Sequence, residues 1–115
     1  MNQTSKEYDP FDLPASAPGA KLDAGKPKAG LVVMGFADAI AAVIDIGTFG
    51  ANKYSEGGWS QVPDGEKRYT DAMIRHLLAE KHEATDKDSG LLHAAHLAWN
   101  ALARLQLMIE KEGAK

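Results

Sequence analysis

The sequence predicts an all-α protein, a small helical bundle of three main helices with an extended N-terminal arm. Three observations carry that prediction. Apolar residues recur at helical spacing over residues 31–54, 66–84 and 91–110. Nowhere does the chain show the strict apolar–polar alternation of a half-buried strand, and its β-branched residues concentrate in the first of those segments. Two short stretches rich in Gly, Pro, Ser and Asp, residues 55–65 and 85–90, separate the segments.

Residues 1–30 carry Pro10, Pro14, Pro18 and Pro27 with Gly19, Gly25 and Gly30, and no apolar period survives there. The reading is a flexible tail over residues 1–20, followed by one all-α domain over residues 21–115. The first helix, residues 31–54, is apolar nearly all round, with Val32, Val33, Met34, Phe36, Ile40, Val43, Ile44 and Ile46. Such a helix is expected to be buried. Gly47 and Gly50 are weak points where it is expected to bend or restart. In so short a chain, this helix predicts a homo-oligomer, a dimer or larger.

The second helix spans residues 66–84 and the third about residues 91–110, with Ser89 or Asp88 as its N-cap and Gly113 at its end. With ~100° per residue, Asn100, His96 and Arg104 fall within about 60° of His93 on the third helix. Ala94, Ala98, Leu102, Leu105 and Ile109 lie on the opposite side and form the expected core face. On the second helix, Tyr69, Glu80 and Glu83 lie within about 40° of His76, while Ile74, Leu77 and Leu78 point away. Arg68, Asp71 and Arg75 form a flanking strip, and Asp71 and Arg75 have i,i+4 spacing for an ion pair.

The loop between these helices is short, so they should be antiparallel neighbours. Counted outward from Lys87, Glu80 and His93 sit at matching heights, as do His76 and His96. A carboxylate facing imidazoles can bind a divalent cation, or act as acid and base around a phosphate. Three of the four histidines fall on these facing stripes. His82 and Glu83 sit near a helix end as ordinary surface residues. Asp86 and Asp88 either turn toward the site or serve the loop.

Two further segments have two readings each. Lys21, Lys26 and Lys28 around Gly25 suit phosphate capture, or form a solvated linker. Lys53, Tyr54 and Trp59 beside a Gly-rich loop suit a nucleotide base and phosphate, or else close the end of the bundle. Asp38 and Asp45 share a side of the first helix. They face cations, join a metal site, or lie exposed.

Composition narrows the function classes. Thirteen Lys and Arg against 16 Asp and Glu give a net charge of −3. That balance disfavours a nucleic-acid binder. The absence of cysteine excludes disulfides and thiolate metal sites. No long apolar span or basic leader stands out, so the chain reads as cytoplasmic and not membrane-bound.

The succession KLDAGKP, FGANKY with a following Trp, RYTDAMIRHLLAE and DKDSGLLHAAHLAWNALA resembles a phage and prophage family, the N-terminal domain of dATP/dGTP diphosphohydrolases. That family is related to the MazG-like all-α nucleoside triphosphate pyrophosphohydrolases. The resemblance covers about residues 20–107. It implies assembly through helices and Mg²⁺-dependent hydrolysis of a (d)NTP to (d)NMP and pyrophosphate. MazG-like enzymes carry ExxE on one helix and ExxD on the next. Here Glu80-x-x-Glu83 fits the first element, but His93-x-x-His96 stands in place of the second. Mg²⁺ prefers oxygen ligands. Either the metal is softer, or the histidines contact phosphate, or the chain binds a nucleotide without cleaving it.

The resulting expectation is a metal-dependent (d)NTP pyrophosphohydrolase acting on purine dNTPs. Glu80, His93 and His96 hold Mg²⁺ or Mn²⁺, with Zn²⁺ an option. His76, Asp71 and Glu80 handle protons. Lys26, Lys53, Arg68, Arg75 and Asn100 bind the substrate, with Tyr54 or Trp59 stacking on its base. The alternative is a phage protein that sequesters a nucleotide signal without cleaving it.

Overall fold

The computed structural model describes residues 6–114. Among them are four α-helices: α1 (Ala29–Gly35), α2 (Ala37–Lys53), α3 (Gly65–Ala79) and α4 (His93–Gly113). A single 3₁₀ turn (Gly58–Gln61) precedes α3, and an isolated bridge pairs Thr85 with Leu92. There is no strand among the described residues. No single helix is long and apolar enough to cross a membrane.

The chain divides into two compact units, one ending at Gly35 and one beginning at Phe36. The expected boundary at residue 20 therefore falls inside the first unit. The one long helix expected over residues 31–54 is two helices, interrupted at Phe36 with φ −111° and ψ 24°. Gly35, a poor helix former, ends α1 just before that break.

The described part of the first unit is organised by Asp9, which is buried. Its Oδ1 accepts the backbone N–H of Phe11 at 2.7 Å and of Leu13 at 3.4 Å, and its Oδ2 accepts that of Lys21 at 2.7 Å. Ala24 N–H donates to the Tyr8 carbonyl at 3.1 Å, and Lys26 pairs with Glu7 at 3.3 Å. The bond from Lys21 holds the Asp9 carboxyl below the usual carboxylate range. Burial works the other way, and the bonds from Phe11 and Leu13 add to the lowering. Met1 to Ser5, the start of the expected tail, lie outside the described residues.

In the second unit α4 packs on α3 most extensively and on α2 as well. Gly47 does not break α2. A Cβ there would sit 3.0 Å from Trp99 Nε1, so the glycine lets the α4 indole approach the helix backbone. The interior is small: Ile46, Ala95 and Ala103 are buried, together with the polar His93, His96 and Asn100.

This inverts the expected core. Leu102, Leu105 and Ile109 of α4 are exposed, as are Ile74, Leu77 and Leu78 of α3 and Ile44 of α2. Helical phase separates two faces of a helix but does not say which one meets a neighbour. Here the small and imidazole-bearing face of α4 lies inward. The helix ends also shift. α3 stops at Ala79 and the chain continues as a turn. α4 is capped by Leu92 without a side-chain bond, not by Ser89 or Asp88. Ser89 is engaged elsewhere.

Candidate functional site

The head of the α3–α4 hairpin is built by a short, highly hydrogen-bonded loop. His93 N–H donates to the Ala84 carbonyl at 2.9 Å, Asp86 N–H to Leu91 at 2.8 Å, and Gly90 N–H to Asp86 at 2.8 Å. Gly90 sits at φ +73°, a conformation that favours glycine. Asp86 Oδ1 accepts the N–H groups of Asp88 (3.0 Å) and Ser89 (2.9 Å), a side-chain turn that fixes its carboxylate. Both bonds fall on Oδ1, which leaves Oδ2 for another ligand.

Three imidazoles meet beneath this loop. His76, in the last turn of α3, places Nδ1 2.8 Å from Nδ1 of His93, the first residue of α4. The His76 ring stacks on His96, with centroids 4.4 Å apart and planes within 7°. Ser89 Oγ accepts the Leu91 N–H and lies 2.7 Å from His96 Nε2, to which its hydroxyl can donate. Phe49 of α2 meets the His96 ring edge-on at 6.4 Å. Asn100 donates to the His96 carbonyl at 2.8 Å.

The electrostatics follow from this crowding. Burial lowers the pKa of His76, and His96, His93 and Arg75 add to the lowering while Asp86 opposes it. His96 is also lowered, by burial first and by His93, against the pull of Asp86 and Asp88. Neutral imidazoles at pH 7 can accept a proton or bind a metal. Burial pushes the Asp86 carboxyl up, but the Ser89 bonds, the His96 charge and the Asp88 N–H together hold it below the ordinary value.

His76, Asp86 and His93 each offer a ligand atom, and the three atoms lie within 4.8 Å of one another. His93 is 4% exposed, and its Nε2 is buried without a hydrogen-bond partner. The nearest carboxylate oxygen, Glu83 Oε1, is 4.0 Å away. An unsatisfied buried polar atom costs about 1–3 kcal/mol. Two imidazoles and a carboxylate with ligand atoms this close fit a metal centre.

Of the expected ligands Glu80, His93 and His96, only His93 falls in this set. Glu80 is the exposed residue that ends α3, because the helix stops one residue earlier. His96 Nε2 is taken by Ser89. Asp86, for which the sequence left two readings, stands in the cluster. Glu83, read as an ordinary surface residue, comes closer to His93 than that reading implied. The Asx-type spacing in TDKDSG was the one signal that pointed to Asp86.

An open groove of about 1510 Å³ runs from this cluster along the second unit. Its lining includes His76, Asp86, His96 and Asn100, the cationic Lys53, Arg68 and Arg75, and Tyr54, Trp59 and Asp71. Lys53 Nζ pairs with Asp88 Oδ2 at 2.5 Å, joining α2 to the hairpin loop. That bond first, and Tyr54 second, raise the Lys53 pKa. The ammonium also lies 5.8 Å from the Phe49 ring centroid and 5.3 Å from that of Tyr54, which is 78% exposed.

Trp59 packs edge-to-face with Trp99 and tilted against Tyr69, whose hydroxyl donates to the Trp59 carbonyl at 2.6 Å. Trp59 therefore helps close the bundle end while its side lines the groove. Arg68 donates to the Pro63 carbonyl at 3.2 Å. Asp71 pairs at 3.4 Å with Lys67, one turn before it, and not with the expected partner Arg75, one turn after it. Lys26 belongs to the first unit, where it pairs with Glu7. Asp38 and Asp45 are exposed.

A family model described as "dATP/dGTP diphosphohydrolase, N-terminal" matches residues 16–115. A relative named dATP/dGTP diphosphohydrolase, from Salmonella phage PMBT28, is 37% identical over 81 residues. The match covers 70% of this chain and 26% of the relative, so the chain spans about a quarter of that protein's length. No solved structure is a significant match.

Proposed function

We propose, because the chain belongs to the dATP/dGTP diphosphohydrolase N-terminal family, that it binds a purine deoxynucleoside triphosphate in the groove and hydrolyses it to the monophosphate and pyrophosphate. The observation that carries this reading is the composition of one cavity. Cations, exposed aromatic surface, and His76, Asp86 and His96 of the imidazole–carboxylate cluster all line the same groove.

Each part has a role in the reaction. Arg68, Arg75 and Lys53 offset the triphosphate charge, and Tyr54, held beside Lys53, offers a ring face to the base. Water adds its oxygen to the α-phosphorus. The bond from that phosphorus to the α–β bridging oxygen breaks, and pyrophosphate leaves with the electron pair. Asp71, which lines the groove, takes the proton released by the water. Ser89 and Asn100 hold His96 in place, and His96 keeps the stacked His76 ring from turning. A divalent cation, seated at the imidazole and carboxylate donors of the hairpin head, would neutralise phosphate charge and acidify water.

Self-association belongs to the same reading. Leu102, Leu105 and Ile109 on α4 offer apolar surface to a second copy. Sedimentation at increasing concentration should show a multiple of the chain mass.

Pyrophosphate release tests the chemistry. The chain, incubated with dATP or dGTP and Mn²⁺ or Mg²⁺, should release one pyrophosphate per monophosphate formed. Folded protein that releases none from any (d)NTP sinks the reading. A second reading, binding without cleavage, is favoured by His93 and His96 standing on α4 where carboxylates would hold Mg²⁺. It expects calorimetric dNTP binding that survives EDTA, with the nucleotide recovered intact.

A further inference from the structure

We infer that His76, Asp86 and His93 form a centre for a borderline transition metal, with Zn²⁺ bound more tightly than Mn²⁺ and Mg²⁺ bound weakest. This deepens the proposed function, and rests on it for the metal's purpose but not for its binding.

The donor set decides the metal class. Two imidazole nitrogens and one carboxylate oxygen suit Zn²⁺, Fe²⁺ or Mn²⁺, and leave coordination positions open. Mg²⁺ demands a near-octahedral oxygen shell and gives up water reluctantly. Two imidazoles replace oxygens it would need.

Four features of the hairpin head support the assignment. The ligand atoms are already gathered, within 4.8 Å of one another, on three separate elements: the end of α3, the loop and the start of α4. The Asp86 carboxylate is held by two N–H bonds on Oδ1, so little further ordering is needed when an ion binds it. His93 is 4% exposed, with one ring nitrogen 2.8 Å from His76 Nδ1 and the other without a hydrogen-bond partner. A metal bound at Nδ1, in place of the proton shared with His76, leaves Nε2 as N–H, with Glu83 Oε1 4.0 Å away to receive it. Carboxylates in that outer position commonly orient metal-bound imidazoles. His96 takes no part as a ligand, because its Nε2 is 2.7 Å from Ser89 Oγ. Its ring is a wall that stacks on His76.

Calorimetry without nucleotide tests the centre. The whole chain is stripped with chelator, dialysed, and titrated with ZnCl₂, MnCl₂ and MgCl₂. One Zn²⁺ per chain is expected, with Mg²⁺ weaker by on the order of 100-fold or more. Asp86→Asn, which keeps the loop's acceptor oxygen, should weaken Zn²⁺ by on the order of 100-fold, as should His93→Ala. His82→Ala and Glu80→Gln should not. Since His93→Ala can disturb packing, imidazole NMR of the unmodified chain gives an independent readout. Zn²⁺ should shift the His76 and His93 ring signals and leave those of the exposed His82 in place.

Three results overturn the assignment. One is that no Zn²⁺ or Mn²⁺ binds. Another is that Mg²⁺ binds as tightly as Zn²⁺. The third is that Glu80→Gln, and not Asp86→Asn, abolishes binding. If the metal binds as expected but no pyrophosphate is released, hydrolysis fails and the centre stands. If Mg²⁺-dependent release survives His93→Ala and Asp86→Asn, hydrolysis stands and the centre fails.

Discussion

Asp9 in the first unit and His93 in the second are both buried polar side chains, and their surroundings treat them in opposite ways. Asp9 accepts three backbone N–H bonds, from Phe11, Leu13 and Lys21. It is the knot that turns a Pro-rich segment back on itself. His93 makes one bond, to His76, and its Nε2 has none. A satisfied buried group repays its desolvation by organising the chain. One left short of partners weakens the fold unless a ligand completes it. The difference separates a structural polar residue from a candidate functional one without reference to residue type.

Paired substitutions can break that comparison most forcefully. Asp9→Leu removes the acceptor for three amides. Hydrogen exchange at Phe11 and Lys21 should accelerate by on the order of 100-fold, with Zn²⁺ affinity unchanged. His93→Leu removes an unsatisfied atom at similar volume. Its urea midpoint should imply a loss of no more than about 1 kcal/mol, while Zn²⁺ binding disappears. A loss above about 3 kcal/mol would make His93 a structural residue like Asp9.

Acid should separate the two regions next. His76 and His96 have folded pKa values below the unfolded value of ~6.5. The unfolded chain binds the protons more readily. Their contribution is therefore present above pH ~6.5 and declines as pH falls toward the folded values. Asp9 has a depressed carboxyl, so its contribution is present above its unfolded value of ~3.9 and is lost only as pH falls further. Amide exchange followed from pH 8 to pH 3 should show α3 and α4 weakening before residues 9–24. The reverse order would mean the imidazoles do not limit the second unit.

Smaller effects calibrate the rest of the bundle. Tyr69→Phe loses the bond to the Trp59 carbonyl and should cost about 1 kcal/mol in denaturant melts. Lys67→Ala breaks only an exposed i,i+4 pair with Asp71, and should cost less than about 0.5 kcal/mol.

Much of the hairpin is legible in the amino-acid sequence. Helical phase puts His93, His96 and Asn100 on one stripe, and a short loop turns that stripe toward His76. The stack of His76 on His96 is the pairing that equal heights predict. The expected Glu80–His93 pairing is not formed: Glu80 is exposed at the end of α3, and His76, one turn earlier, meets His93 instead. The Lys53–Asp88 pair joins residues 35 apart in sequence and had no local signal. Nor did the N-terminal knot, since one carboxylate serving amides at Phe11 and Lys21 has no periodicity to detect.

The sequence alone determined that the chain is helical, that short loops separate its last three helices, and that three imidazoles share facing stripes. Those are properties of spacing, and spacing is written in the chain. Only the tertiary structure decided which face of α4 lies inward, which carboxylate joins the histidines, and which ring nitrogen is left without a partner. These depend on where helices end and how closely they approach. Gly47 makes room for Trp99, Ala79 ends α3, and the loop's own hydrogen bonds carry Asp86 to the site that Glu80 was expected to fill.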